Sequence, residues 1–337
     1  MNLRRQLLLV SLLTLMLPWA GCEFIRETEI ALRAGQQQML AGTARAVASS
    51  LAQFSEEFPI RDPAFPVDDQ LYIHELASSP EVDGYFDDWS FDTLASMRGK
   101  DGPVRFALGL HDQAVFLFVE VADRSVVYGE DRVMLASSSP PYLVEALSFA
   151  TEAPGPILSS KQTSYGFAPE PTVTAFWQDF PGGYRVEARI PIGQLGTHLG
   201  ITVINTDTPG VDGTRSSSFV GRYPGPSRRI IGEIERVAET HVQPDMRLLL
   251  TDADGWRIAR AGQLGATDDR DSPGPVQRLY DLLLEEGDEA TLAEADPSGR
   301  EQRPYVAAAL QGNETGAWFR NAETGRAVVA VAAPVLS

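Results

Sequence analysis

Cysteine is nearly absent from this chain of 337 residues, which contains only Cys22. One cysteine cannot form an intrachain disulfide, and it excludes zinc and iron–sulfur sites that need several cysteines. Histidine is also scarce, and His74, His111, His198 and His241 show no metal-ligand spacing. The fold must therefore be held together by packing alone.

Basic residues are few relative to acidic ones. The chain has 28 Lys and Arg against 46 Asp and Glu, a net charge of −18, and Lys and Arg form no runs. Such a surface repels phosphate backbones, so we expect no nucleic-acid partner. The 43% hydrophobic content is sufficient for two or three cores, at about 100 to 200 residues per domain.

Catalytic motifs are missing as well. The sequence contains no G-x-S-x-G elbow, no H-E-x-x-H motif and no phosphate-binding P-loop. His74-Glu75-Leu76 is similar to a kinase phosphoacceptor tripeptide, but it lies between Pro66 and Pro80 rather than on a long helix, and no Gly-rich nucleotide loop follows. We therefore expect His74 in a strand or turn, and no catalytic residue or cofactor in this chain.

The N-terminus carries an apolar targeting segment. Two arginines precede Leu7–Cys22, a stretch without a charge, which is typical of a membrane-targeting segment. Extended to Ile25, a helix here would span about 28 Å. We expect a signal anchor over residues 1–25 in the inner membrane, with residues from about 26 onward in the periplasm. Small residues before Cys22 also allow cleavage, with or without lipidation of this cysteine, and these alternatives stay open.

Residues 26–58 predict a long helix. No proline occurs within this segment, and Ile25, Leu32 and Met39 recur at seven-residue steps. Such a helix either packs against its own domain or forms the stalk of a parallel dimer, with these three residues at the seam. We expect a homodimer through the stalk.

Residues 59–238 have a different sequence pattern, typical of short β-strands. A proline-rich connector leads into short β runs that are bounded by Gly, Pro, Asp or Ser clusters. Six such runs without intervening helices predict a β-sandwich. The runs are Val104–Leu110, Ala114–Val121, Leu143–Ala150, Thr172–Trp177, Tyr184–Ile190 and Ile201–Asn205.

Residues 239–337 predict a small α+β sensor domain. The expected elements are strands at 246–250, 256–259, 317–320 and 327–331, and helices at 276–286 and 305–310. An Asp-Gly turn joins the first two strands into a hairpin. The chain ends directly after an apolar strand, so we expect this domain to be truncated at its C-terminal end. The fold class expected for the chain is thus α+β with a large all-β part.

Three motifs of the β region resemble one domain family. They are VDGYFDDW at residues 82–89, FLFVEVAD at 116–123 and GYRVEARIP at 183–191. In this order they resemble the sandwich of family 9 carbohydrate-binding modules. The resemblance implies that residues 59–238 form such a sandwich.

The C-terminal segments 248–260 and 308–335 resemble the membrane-distal, Cache- or PAS-like sensor of transmembrane histidine kinases. With the N-terminal segment, the chain is similar to the extracytoplasmic half of the sensor kinase of the proteobacterial dedicated sortase system. The resemblance implies that the chain senses a ligand or an envelope state and signals to a cytoplasmic kinase core. That core would use ATP and Mg²⁺ and phosphorylate a response regulator, and it is absent from this sequence.

Aromatic side chains are the candidates for carbohydrate binding, because apolar sugar faces stack on Trp and Tyr. We select Trp177, Tyr165 and Tyr128, each with a core position in a strand as the other interpretation. The alternative function is accordingly that of a membrane-anchored or lipidated carbohydrate-binding envelope protein without catalysis.

An acidic turn is a candidate calcium site. Asp83, Asp87 and Asp88 supply carboxylate oxygens within six residues of sequence. The other interpretation is a turn that caps a strand, and we favour this one.

Overall fold

The computed structural model describes residues 3–139, 143–163, 165–265, 290–292, 294–321 and 327–335, with the backbone alone for residues 3–19, 21, 22, 55, 57 and 143. Within these ranges, most strands belong to one large sheet, accompanied by three small sheets and a few helices. The architecture is α+β, as predicted.

Helix α1 spans Leu3–Leu51, and a 3₁₀ segment at Ala52–Glu57 follows it. The long helix expected after the N-terminal segment is therefore present. Val47 and Leu51 are buried one turn apart on the same face of α1. No helix in the described part of the chain has an apolar stretch sufficient to cross a membrane.

Thirteen strands are described between α1 and residue 230. They are β1 Leu71–Tyr72, β2 His74–Glu75, β3 Ala95–Arg98, β4 Pro103–His111, β5 Ala114–Ala122, β6 Arg132–Ser139, β7 Leu143–Phe149, β8 Gly155–Thr163, β9 Gly166–Phe180, β10 Gly183–Pro191, β11 His198–Asn205, β12 Thr214–Ser217 and β13 Ser227–Arg228. Short 3₁₀ helices lie at Val67–Asp69 and Ile192–Gln194. All six predicted strands are confirmed, at β4, β5, β7, β9, β10 and β11.

The large sheet has the order β12-β11-β6-β7-β8-β9-β10-β5-β4-β2, with β3 also paired to β4. Val121 of β5 and Val133 of β6 are not on neighbouring strands, yet both lie in one buried core. The sheet therefore folds over so that its two halves enclose this core. Strand β1 pairs separately with β13.

Strand β5 is buried on both faces, which explains its nearly continuous apolar sequence. Leu117 and Val119 face the enclosed core. Phe116 and Phe118 point to the other side and pack under Trp89, in the loop before β3. This loop covers the outer face of the sheet.

One segment was predicted wrongly. The β region was expected to continue to residue 238, but Gly232–Glu239 forms a helix, α2. Ile234 and Ala238, one turn apart, are buried against Val47 and Leu51 of α1. Tertiary packing of this face stabilises a helix that the sequence pattern did not indicate.

The C-terminal unit consists of α2, helix α3 Pro304–Leu310 and strands β14 Leu248–Thr251, β15 Arg257–Ala261, β16 Thr291–Leu292, β17 Thr315–Asn321 and β18 Ala327–Ala332. Strands β14 and β15 form the predicted hairpin, and β16, β17 and β18 form a second sheet. The expected helix at 276–286 lies outside the described residues.

Candidate functional site

The C-terminal half of α1 lies against the C-terminal unit. Val47 and Leu51 are buried together with Ile234 of α2 and with Leu250 and Ile258 of the hairpin. Because apolar burial is the main favourable term in folding, this contact fixes α1 on the unit.

Polar contacts extend the same interface toward the N-terminus of α1. The Arg45 guanidinium donates two hydrogen bonds to the Glu314 carboxylate, at 2.7 and 3.0 Å. The Arg33 guanidinium lies 5.0 Å from the centre of the Trp318 ring, in cation–π geometry. The helix therefore follows the unit over several turns.

A cavity of about 1060 Å³ lies between α1 and the C-terminal unit. Its apolar wall comes from α1, β14, α3 and β18 and includes Leu40, Ala44, Val47, Leu250, Val306, Leu310, Val329 and Val331. Gly265 and Leu292 also line it. A cavity of this size and character is typical of a small-molecule site.

One side of the cavity carries polar groups. Glu301, Arg303 and Tyr305 line it together with Arg61. Arg303 donates from Nη1 to the Tyr305 hydroxyl at 2.8 Å, and Glu301 accepts from Nη2 of Arg257 at 2.6 Å. These groups can orient the polar end of a ligand while its apolar part lies against α1.

A buried charge cluster joins the β-sandwich to the hairpin of the C-terminal unit. We call Gln70, Arg228, Asp252 and Asp254 the junction cluster. Nε of Arg228 lies 3.1 Å from both Gln70 Oε1 and Asp252 Oδ2, and Gln70 Nε2 donates to Asp254 Oδ2 at 3.0 Å. Burial raises the pKa of Asp252, and Arg228 opposes this rise. Arg228 of β13 thus supplies the positive charge for the two buried aspartates of the turn between β14 and β15.

A stacked aromatic pair adds to this junction. Tyr72 of β1 stacks on Trp256 with ring centres 5.7 Å apart, and its hydroxyl donates to the Arg257 carbonyl oxygen at 3.0 Å. Burial raises the pKa of Tyr72 to about 12. Burial and then Arg257 lower the pKa of His74 to about 4, so this histidine of β2 is neutral at pH 7. The predicted strand position of His74 is confirmed.

The structure brings together two of the three predicted sugar-binding aromatics. Trp177 is fully buried and stacks on Tyr184, with ring centres 4.0 Å apart. Trp177 Nε1 donates to Oδ1 of Asp179 at 2.9 Å, and the half-exposed Tyr128 hydroxyl donates to the other oxygen of this carboxylate. Trp177 has no exposed face, so it cannot stack on a sugar without leaving the core.

Tyr165, the third of these aromatics, lies elsewhere. It is fully exposed in the turn between β8 and β9. The structure thus places it apart from Trp177, and its binding role stays a prediction.

The acidic turn caps local structure. Asp83 Oδ1 accepts from the Tyr85 amide at 2.9 Å, and Asp88 Oδ2 accepts from the Glu81 amide at 2.6 Å, while Asp87 is exposed. These contacts fit the capping interpretation, and the calcium role stays a prediction. Among the described residues, no three His, Cys, Asp or Glu side chains form a group that could hold a metal ion.

The predicted lipidation of Cys22 has no local test. Cys22 lies within α1, but its side chain is not among those described, so its lipidation stays a prediction. The junction cluster was missed from the sequence, where Asp252 and Asp254 indicated only a hairpin turn.

No model of a known protein family matches this chain, and no curated protein sequence matches it significantly.

Proposed function

We propose that this chain is the extracytoplasmic sensing region of a membrane-bound two-component sensor histidine kinase. It is held in the inner membrane by residues 1–25, and residues from about 26 onward lie in the periplasm. The finer fold assignments belong to this proposal: a carbohydrate-binding-module-like sandwich at residues 59–238 and a Cache- or PAS-like sensor domain at 239–337.

The position of α1 carries the proposal. One continuous helix begins in the N-terminal apolar segment and forms a wall of the cavity with Leu40, Ala44 and Val47. A ligand in the cavity would contact this helix directly. A change in occupancy can therefore bias the position of a helix that leads toward the membrane.

The β-sandwich has a route to the same helix. The junction cluster fixes the sandwich to β14 and β15, and Leu250 and Ile258 of these strands pack on α1. An envelope component or carbohydrate on the sandwich would thus act on the element that also lines the cavity.

We propose that the chain acts as a homodimer through α1. Leu32 and Met39, two residues of the predicted seam, are 63% and 62% exposed. Neither side chain is buried with Val47 and Leu51, although Met39 also borders the cavity, and both are exposed enough to contact a second copy. The ATP- and Mg²⁺-dependent core and its response regulator belong to the parent protein.

The coding sequence beyond Ser337 tests the proposal. We expect it to encode a second apolar span, a helix with a phosphoacceptor histidine and an ATP-binding domain. A stop codon at this point would contradict the proposal. Together with lipid on Cys22, it would support the anchored carbohydrate-binding alternative.

A further inference from the structure

Four polar side chains occupy one end of the sandwich core. Asp123 follows β5, Asp131 precedes β6, Asn205 ends β11 and Tyr184 begins β10. Each has the same strand alternation as core residues two positions away, such as Val121, so all four side chains point between the two halves of the sheet. Their exposed fractions are 3% or less.

These four residues lie close together. The Thr206 amide, next to Asn205, donates to Asp131 Oδ1 at 2.6 Å. Asp123 and Asp131 both act electrostatically on Tyr184, whose pKa is raised first by burial and then by these two carboxylates. The Val127 amide donates to Asp131 Oδ2 at 2.6 Å, and the Asp131 and Asp123 side chains share a hydrogen bond, whose proton a bound cation would displace. The cluster therefore offers side-chain oxygens from four separate segments.

Several polar atoms of the cluster have no hydrogen-bond partner among the described residues. They are Asp123 Oδ2, the Tyr184 hydroxyl and both amide atoms of Asn205. A buried polar atom without a partner destabilises the fold by about 1–3 kcal/mol. An ordered water or a bound ion would satisfy these atoms.

No cation pairs directly with the cluster in the described part of the chain. Lys100 is close enough to act electrostatically on Asp123, but its ammonium group pairs with Asp207 at 2.5 Å. The Arg132 guanidinium donates to main-chain oxygens of Gly129 and Glu130 instead. Among the described residues, the two buried carboxylates thus share a site in which no cation contacts them directly.

We propose that Asp123, Asp131, Asn205 and Tyr184 form a binding site for a hard divalent cation, with calcium the preferred ion. Calcium accepts carboxylate, amide and water oxygens in irregular geometry, whereas magnesium demands a near-ideal octahedron. The ion would close the end of the sandwich and join β5, β6, β10 and β11. This site is separate from the acidic turn at residues 83–88.

Calcium titration of the purified full chain tests the site. We expect calcium to raise the melting temperature of the EDTA-treated protein, and calorimetry to give a Kd on the order of 10⁻⁴ to 10⁻³ M, as in extracellular calcium modules. Asp123→Asn keeps the Oδ1 acceptor for the Ser125 amide but removes one anionic ligand. It should weaken binding about tenfold or more, since affinity follows ligand charge.

Asn205→Asp tests the site if Asp123→Asn fails to fold. It adds a charge, so it should lower the melting temperature without calcium and strengthen calcium binding. The control is Asp212→Asn, which removes an exposed carboxylate from the loop that follows Asn205 and should leave binding unchanged. No response of the wild type to 10 mM calcium, about tenfold above the weakest expected Kd, would overturn the proposal. A response that Asp123→Asn and Asn205→Asp both leave unchanged would overturn it equally.

Discussion

At the scale of single residues, Glu187 explains how two of the sequence motifs meet. Its side chain, on β10, lies on the outer face of the sheet under the loop at residues 83–89. Trp89 Nε1 donates to Oε1 at 2.9 Å, and the Gly84 and Asp83 amides donate to Oε2 at 2.9 and 3.1 Å. Burial raises the pKa of Glu187 to about 7 in spite of these three donors.

This raised pKa predicts a pH-dependent stability. The folded state favours the protonated form, so the contribution of Glu187 is fully present below its unfolded pKa of about 4.5 and is lost as pH rises through about 7. The free energy of unfolding should fall by up to about 3 kcal/mol over this window. Urea denaturation of wild type and Glu187→Gln at several pH values measures it. The variant should lack this part of the slope, whereas the exposed Glu81→Gln variant keeps it. Equal slopes in Glu187→Gln and wild type would refute the role of Glu187.

Trp177 and Tyr165 give a second prediction at this scale. Trp177 is fully buried against Tyr184, so Trp177→Ala should lower the free energy of unfolding by about 3–5 kcal/mol. Tyr165→Ala removes a fully exposed ring and should change it by less than about 0.5 kcal/mol. Chemical denaturation checks both variants. A Trp177→Ala protein as stable as wild type would show that this residue is not part of the core.

At the scale of elements, the junction cluster is the critical contact between sandwich and C-terminal unit. Arg228 is 5% exposed and faces the Asp252 side chain, which is 1% exposed. Asp254 has a further partner, since Arg61 Nε lies 3.1 Å from its Oδ1. Among the described residues, Asp252 depends on Arg228 for its countercharge.

Arg228→Met should therefore lower the free energy of unfolding by about 3–5 kcal/mol, because it leaves a carboxylate buried without a cation. Asp252→Asn in the same chain removes that charge, while its Oδ1 still accepts the Asp254 and Trp256 amides. The double variant should be more stable than Arg228→Met. A double-mutant cycle measures the coupling, and simple additivity of the two changes would contradict it.

The elements also show what the sequence could predict. Strands β4, β5 and β10 were predicted because apolar residues dominate them. Strands β6 and β8 were not, because they bury serines: the Ser137 hydroxyl accepts from the Gly196 amide at 2.7 Å, and Ser159 donates to the Glu170 carbonyl oxygen at 2.9 Å. Polar residues that find distant partners look like loop residues in a sequence pattern.

The candidate sites were also harder to predict than the strands, because their residues have partners that are distant in the sequence. Glu187 and Asp83 lie 104 residues apart, and Gln70 and Asp254 lie 184 apart. The spacing of residues in a motif indicates only which side chains are neighbours on one element. It therefore indicated the turns that contain Asp83 and Asp254, but not their distant partners Glu187 and Gln70. The cavity depends on how α1 packs on the C-terminal unit, which no local pattern specifies.

At the scale of the whole molecule, α1 is linked to both the C-terminal unit and the β-sandwich. Its C-terminal half packs on the C-terminal unit, which the junction cluster joins to the sandwich. The covered face of α1 includes Arg33 over Trp318 and Gln37 next to Gly316. Leu32 and Met39 are exposed, and Met39 also borders the cavity.

Cysteine cross-linking in membranes tests whether the chain forms a dimeric sensor that signals through α1. Cys22→Ser removes the only native cysteine and permits single-cysteine scanning from Phe24 to Phe54. In a parallel two-fold pair the same residue of each helix faces its mate, so oxidation should give cross-links that peak at positions 32 and 39. Positions 33 and 37 should not cross-link, because the C-terminal unit covers them. A flat or absent cross-linking pattern along the helix would show that α1 does not form the dimer contact.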